Sequence, residues 1–181
     1  MHKLSKDNQL KELNLRNFED SCDDSTRLMI ACRSLEKLSL SSLDFQKFRY
    51  VPSIIRNRKT LKSLDLSDCK GLTYKHIRRI FTSCSQLEEV DLSGIKKLST
   101  DSIAFICNHL PKSIEIVDLS DLAVQDDHIE ALVKRCKQIN ELCLCKTLVT
   151  TTYWDSLPIS VQKALQCHTL RKFGIKLESE C

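Results

Sequence analysis

A chain of 181 residues with 41% hydrophobic content can bury a core, and its three glycines and three prolines are too few for a linker-rich or disordered protein. The net charge of +4 is well short of what a dedicated nucleic-acid binder carries, so a protein partner is expected rather than nucleic acid. No stretch approaches the ~18 consecutive apolar residues of a membrane span, and MHKLSKDNQL at the start has no apolar signal core, so neither membrane insertion nor secretion is expected.

In chain order, the phrase L-x-x-L-x-L opens units at Leu10, Leu35, Leu61, Leu87, Ile114, Ile139 and Leu170, at intervals of 25, 26, 26, 27, 25 and 31 residues. Self-similarity along the whole chain predicts one continuous array over 1–181, with the unit at Leu170 a C-terminal cap. The first unit has strand leucines Leu10, Leu13 and Leu15, then a short helix carrying Leu28, Ile30 and Cys32. The second has Leu35, Leu38 and Leu40, an aromatic turn, and a helix opening at Pro52 that carries Ile54 and Ile55.

The third unit shows the pattern most clearly. Leu61, Leu64 and Leu66 have strand spacing, whereas Ile77, Ile80, Phe81 and Cys84 fall on one face of a helix, with Lys75, Arg78 and Arg79 on the other. Thr73 and, in the fourth unit, Ser99 stand in the same phase as helix N-caps. The fourth unit stretches through Leu110-Pro111, expected to be an edge loop. In the fifth, Asp126 and Asp127 start a helix carrying Ile129, Leu132, Val133 and Cys136. The sixth breaks the pattern at TLVTTTYWDSLP, where Tyr153 and Trp154 are expected to help close the core ahead of a short helix from Ser160 to Gln166.

Each unit thus supplies one strand, one turn and one helix and cannot bury its apolar side alone. Stacked, the units predict an α/β horseshoe segment of about seven repeats, most of 25–27 residues, with a parallel sheet on the concave face and helices on the convex face. The ten cysteines fit this phase rather than a disulfide framework. Cys32, Cys84 and Cys136 each precede the next opening residue by three, and Cys69 takes the first inward position after its strand, so they read as small buried hydrophobes in a reduced cytoplasmic or nuclear protein.

The run L-x-x-L-x-L-x-x-C, a following Leu-Thr, an amphipathic helix and a cysteine three residues before the next leucine resembles the cysteine-containing leucine-rich repeats, and Leu61 to Leu87 fits at every marked position. SCSQLEEVDLSG, Ser83 to Gly94, looks much like the middle repeats of cell-cycle F-box receptors. The resemblance implies protein–protein interaction, with F-box/leucine-rich-repeat substrate receptors of Skp–cullin–F-box ubiquitin ligases and the antagonist-of-mitotic-exit proteins as the type cases. The first strand begins at Leu10, so no F-box is expected in this chain.

Strand positions alternating with the leucines point to the concave face: Asp65, Ser67, Glu89, Asp91, Ser93, Asp118, Ser120 and Glu141 among them. From the third to the sixth unit they hold five acids and no base. One reading is a groove that steers a basic segment of a partner, either as a ligase substrate receptor or as a stand-alone inhibitor that sequesters a basic protein. The other is that D-L-S is a strand habit with solvated carboxylates. Cys143 and Cys145, with Cys167 and His168, are the only metal candidates, and their spacing matches no closed zinc module, so neither metal nor cofactor is expected. No nucleophile elbow, zinc-protease helix or phosphate loop is present, and no enzyme activity is expected. The basic run Lys75 to Arg79 reads as a solvated helix face.

Overall fold

The structure is a computed structural model and describes residues 10–17, 32, 34–47, 55, 59–157 and 159–164. Its strands are β1 (Glu12–Asn14), β2 (Lys37–Ser39), β3 (Ser63–Asp65), β4 (Glu89–Asp91), β5 (Ile116–Asp118) and β6 (Glu141–Cys143). They form one six-stranded parallel sheet in sequence order. Each strand begins two residues after Leu10, Leu35, Leu61, Leu87, Ile114 or Ile139. The helices are α1 (Tyr74–Phe81), α2 (Thr100–His109), α3 (Asp126–Arg135), α4 (Thr151–Ser156) and α5 (Ile159–Ala164). The architecture is an α/β repeat solenoid.

The middle residue of every strand, Leu13, Leu38, Leu64, Val90, Val117 and Leu142, turns inward and pairs in register with its neighbours. Ile77, Ile80, Phe81, Ile103, Ile106, Ile129 and Leu132 meet these residues from the helices in a continuous core. Burying one such side chain fully is worth about 1.5–3 kcal/mol, and every strand residue is shared between two units, so no unit is stable by itself. Cys32, Cys69, Cys84, Cys107 and Cys136 are buried in that core. Burial pushes the Cys69 thiol up to about 12, that of Cys84 to about 11 and that of Cys107 to about 12, and the Cys69 thiol donates to the Leu40 oxygen at 3.1 Å.

The chain leaves every strand through the same backbone conformation. Asn17, Ser42, Asp68, Gly94, Asp121 and Lys146, one in each unit, have φ between 55° and 69°, in the left-handed region. The N–H of each of the first five donates to the carbonyl at the strand exit of the following unit, as from Asp68 to Ser93 at 2.8 Å. The ladder therefore extends past the three-residue strands.

Helix starts follow the caps. Ser99 Oγ accepts the Ser102 N–H at 3.3 Å. At Thr73 and Gln125 the reciprocal half of the cap comes from a histidine three residues on: His76 Nδ1 accepts the Thr73 N–H at 3.2 Å, and His128 Nδ1 accepts the Gln125 N–H at 3.0 Å. Leu110 and Pro111 form a loop, as expected, whose side chains are buried, and the Leu110 carbonyl accepts the Arg135 Nε–H at 2.6 Å. The β-branched stretch after β6 is helix α4. Thr150 caps it through the Tyr153 N–H at 3.1 Å, and the Asp126 carboxylate accepts both the Thr150 N–H and its hydroxyl, at 2.8 and 2.7 Å. Trp154 is buried as expected of a closing residue. Only Ile159–Ala164 of the following helix is described, and Leu170 with the seventh unit, Leu28 and Ile30 of the first unit, Pro52, Ile54, Cys167 and His168 lie outside the described residues.

Candidate functional site on the open face of the sheet

Parallel pairing in register turns the strand residues that face away from the core into rows. One row runs Asn14, Ser39, Asp65, Asp91, Asp118, Cys143. The three aspartates are consecutive, one strand apart, so their carboxylates stand roughly 5 Å from each other. A second row runs Glu12, Lys37, Ser63, Glu89, Ile116, Glu141. Glu89 and Glu141 are therefore separated by Ile116. Ser67, Ser93 and Ser120 leave the strands beside the aspartate row, and Cys145 follows in the same phase.

The aspartates serve the turn as well as the surface. Oδ1 of Asp65, Asp91 and Asp118 accepts the N–H of Ser67, Ser93 and Ser120, at 3.0, 2.8 and 2.8 Å, closing the same Asx-type turn three times. Asp65 is the most fully satisfied, because the Ser67 hydroxyl donates at 2.6 Å and Ser39 Oγ donates to its other oxygen at 2.7 Å. The Ser120 hydroxyl, in the phase of Ser67, accepts the Cys145 N–H at 3.1 Å. Partial burial raises the Asp91 carboxyl above its ordinary value, and the neighbouring Asp118 and Asp65 charges add to this against the opposing Ser93 hydrogen bonds. The centre of the row therefore carries negative charge that its surroundings do not fully compensate.

Cys143 and Cys145 lie half-buried at the β6 end of the same face, and neither is in a disulfide. The described residues contain no cluster of three or more metal-ligating side chains.

Three features were missed in the sequence reading. The residue after the opening position forms charge pairs across the first four units: Lys11 pairs with Glu36 at 2.9 Å and Lys62 with Glu88 at 3.1 Å. Glu36 is lowered chiefly by its bond to Lys11, and Lys62 is raised chiefly by its bond to Glu88. Aligning the units on their opening leucines would have found the pairs. The second is aromatic. Tyr74 meets Phe105 edge-on at 5.1 Å, and Phe105 stacks on His109 at 3.9 Å, so rings do stand beside the basic helix run. The third is the histidine cap on α1, where His76 takes the N3 position. Of the basic helix residues, Lys134 is tied to Glu130, and Arg135 to the Leu110 carbonyl.

No protein-family model and no curated protein matches the sequence. Solved structures do match. A chain of the yeast Rad7–Elc1 complex aligns with TM-score 0.59 at 14% identity, over 78% of this chain and 34% of that one, so the present chain spans about a third of its length. Actin-binding site 2 of leiomodin-1 aligns with TM-score 0.52 at 15% identity, over 74% of this chain and 82% of that one. The leucine-rich repeat-containing protein LegL7 from Legionella pneumophila gives 0.47 at 17% identity, over 74% and 45%. Likeness at these identities concerns the fold alone, and with the repeated strand and helix it defines the class: the chain is an α/β repeat solenoid of the leucine-rich repeat kind. No helix among the described residues is long and apolar enough to cross a membrane.

Proposed function

We propose that this chain is a non-enzymatic protein-interaction module of the cytoplasm or nucleus whose open sheet face receives a basic segment of a protein partner, in a ubiquitin-ligase substrate-recognition setting. The carrying observation is the in-register row Asp65–Asp91–Asp118, in which Asp91 is raised by burial and by its two neighbours. Like charges in adjacent strands are unfavourable unless something of opposite charge relieves them. Ser67, Ser93 and Ser120 supply polar rims to the row, and Glu89 and Glu141 extend its negative field. The ligase setting rests on the resemblance to cysteine-containing repeats of F-box receptors, and the repeat array is taken to continue over 1–181 with its closing unit near Leu170. The likeness to a chain of the Rad7–Elc1 complex supports a fold of this kind held against a second protein. The same acidic row suits a protein that sequesters a basic partner, which is the competing use.

The test is binding of a fluorescein-labelled deca-lysine peptide by anisotropy, with Asp91→Asn and Asp118→Asn. Asparagine keeps the oxygen that closes the turn and removes the charge. Each change is expected to weaken binding about two- to five-fold at low salt, in line with exposed charge pairs of ~0.2–1 kcal/mol. Unchanged affinity in the double variant assigns the aspartates to the turn alone. A lysate pull-down probed for cullin and a Skp-type adaptor separates the ligase setting from sequestration.

A further inference from the structure

Four lysines stand together at a place the functional reading leaves unused, the rim where the chain leaves the strands. After the left-handed turns at Ser42, Asp68 and Gly94, the second, third and fourth units run through Asp44, Lys70 and Lys96 at equivalent positions. The first two of these segments are pinned together: Asp44 and Lys70 form a parallel bridge, the Phe45 N–H donates to the Lys70 carbonyl at 2.8 Å, and the Lys70 N–H donates to Leu43 at 2.9 Å. Between the turns opens a cleft of about 680 Å³, and Lys47, Lys70, Lys96 and Lys97 line it with Asp44 and Asp68.

One of the two carboxylates there is engaged locally. Asp44 Oδ1 accepts the Gln46 N–H at 2.9 Å, and Asp68 Oδ1 lies so close over Gly94 that a Cβ on that residue would be 2.2 Å away. Lys70, Lys96 and Lys97 are exposed and form no ion pair among the described residues. The N-terminal ends of α1 and α2 follow directly, at Tyr74 and Thr100, and α1 has no acidic residue in its first turn to offset its positive end.

We propose that this rim cleft is a second docking site, which takes an extended acidic segment of a protein partner. Lys70 and Lys96 are one unit apart, about 5 Å at the sheet, and Lys97 is the next residue, so the three ammonium groups fall within the reach of three or four extended residues at ~3.3 Å each. A nucleic acid fits the lining poorly. Asp44 and Asp68 interrupt the positive field that a continuous phosphate chain needs, and among the described residues no aromatic ring lines the cleft for bases to stack on. The site is independent of the aspartate row, which has the opposite sign and faces away from the sheet.

The experiment uses the full chain and four probes in anisotropy or competition: labelled deca-glutamate, labelled deca-lysine, a labelled single-stranded deca-thymidine, and inorganic phosphate as competitor. Deca-glutamate is expected to bind at ~25 mM salt and to weaken several-fold by ~150 mM as screening sets in. The triple variant Lys70→Glu, Lys96→Glu, Lys97→Glu is expected to lose about ten-fold or more in deca-glutamate affinity, with deca-lysine binding not weakened. The neutral triple variant with glutamine serves if the reversed one unfolds. The convex-side variant Arg78→Glu, Arg79→Glu is expected to change deca-glutamate binding by less than about two-fold. The proposal is overturned if deca-glutamate does not bind at low salt, if both triple variants bind it like the parent, if the oligonucleotide binds more tightly than the peptide, or if millimolar phosphate displaces the peptide fully. Failure of the aspartate reading appears separately, in the deca-lysine arm.

Discussion

Replacing His76 perturbs the start of α1 in a way that the cap geometry makes calculable. Its Nδ1 accepts the Thr73 N–H at 3.2 Å, which requires an unprotonated Nδ1, in the place where glutamate or glutamine usually completes a capping box. Truncation by His76→Ala leaves that N–H without its acceptor, a loss of about 0.5–2 kcal/mol. Partial burial lowers the histidine below its ordinary value, and the Arg79 charge adds to this. The folded state therefore holds the proton less readily than the unfolded chain. This contribution to stability is complete above the unfolded pKa near ~6.5 and is lost as the pH falls through that value toward the folded one. His76→Gln keeps an acceptor that does not titrate. Urea unfolding followed by circular dichroism between about pH 5.5 and 7.5, above the range of ordinary carboxylates, should show a smaller acid loss for the glutamine variant than for the parent. The alanine variant should be weaker at the upper pH. An alanine variant as stable as the parent at about pH 7.5, or a glutamine variant with the parent's full acid loss, refutes the capping role.

Two further outcomes follow from the core and the turns. Native-state labelling with a thiol reagent should leave Cys69, Cys84 and Cys107 untouched, because burial holds these thiols protonated at about 12, 11 and 12, while half-buried Cys143 and Cys145 react first; mass mapping that finds Cys84 modified early would contradict its place in the core. Among the left-handed turn residues, Ser42→Gly should raise the urea midpoint by the equivalent of roughly 0.5–1 kcal/mol, whereas Gly94→Ala, at φ 69° with Asp68 Oδ1 only 2.2 Å from the new Cβ, should lower it by at least ~1 kcal/mol. Equal midpoints for the two variants would mean that the turn conformation is not demanded by the stack.

The strands and helix faces were legible because they depend on spacing alone. Leu61, Leu64 and Leu66 announce a strand, and Ile77, Ile80 and Phe81 announce a helix whatever their neighbours do. The common exit turn was not legible, because Asn, Ser, Asp, Gly, Asp and Lys share no side-chain chemistry. What repeats there is a backbone angle, imposed by the hydrogen bond each turn makes to the next unit. Tertiary packing also overrode local propensity after β6. Thr150, Thr151 and Thr152 favour a strand on their own, but the Asp126 carboxylate holds Thr150 as a cap and buried Trp154 anchors the helix that follows. The His76 cap escaped notice because the usual signature at that position is glutamate or glutamine.

The aspartate row was readable as a row, since repeat phase and strand register are the same information. Its electrostatic character was not, because that depends on which hydroxyl donates to which carboxylate. Ser39 stands one strand before Asp65 and donates to it, whereas the residue before Asp91 in the row is Asp65, and the one before Asp118 is Asp91. The substitution of aspartate for serine at that neighbour turns a donor into a like charge. Asp65 is thus satisfied by a neighbouring hydroxyl, whereas Asp91 stands between two like charges and its carboxyl is raised by burial and by both of them. The turn asks only for an acceptor in each unit, which Asn14 supplies in the first without a charge by accepting the Arg16 N–H. Charge at three adjacent positions is therefore more than the turn uses, and the proposal of a basic partner at the centre of the open face rests on that difference.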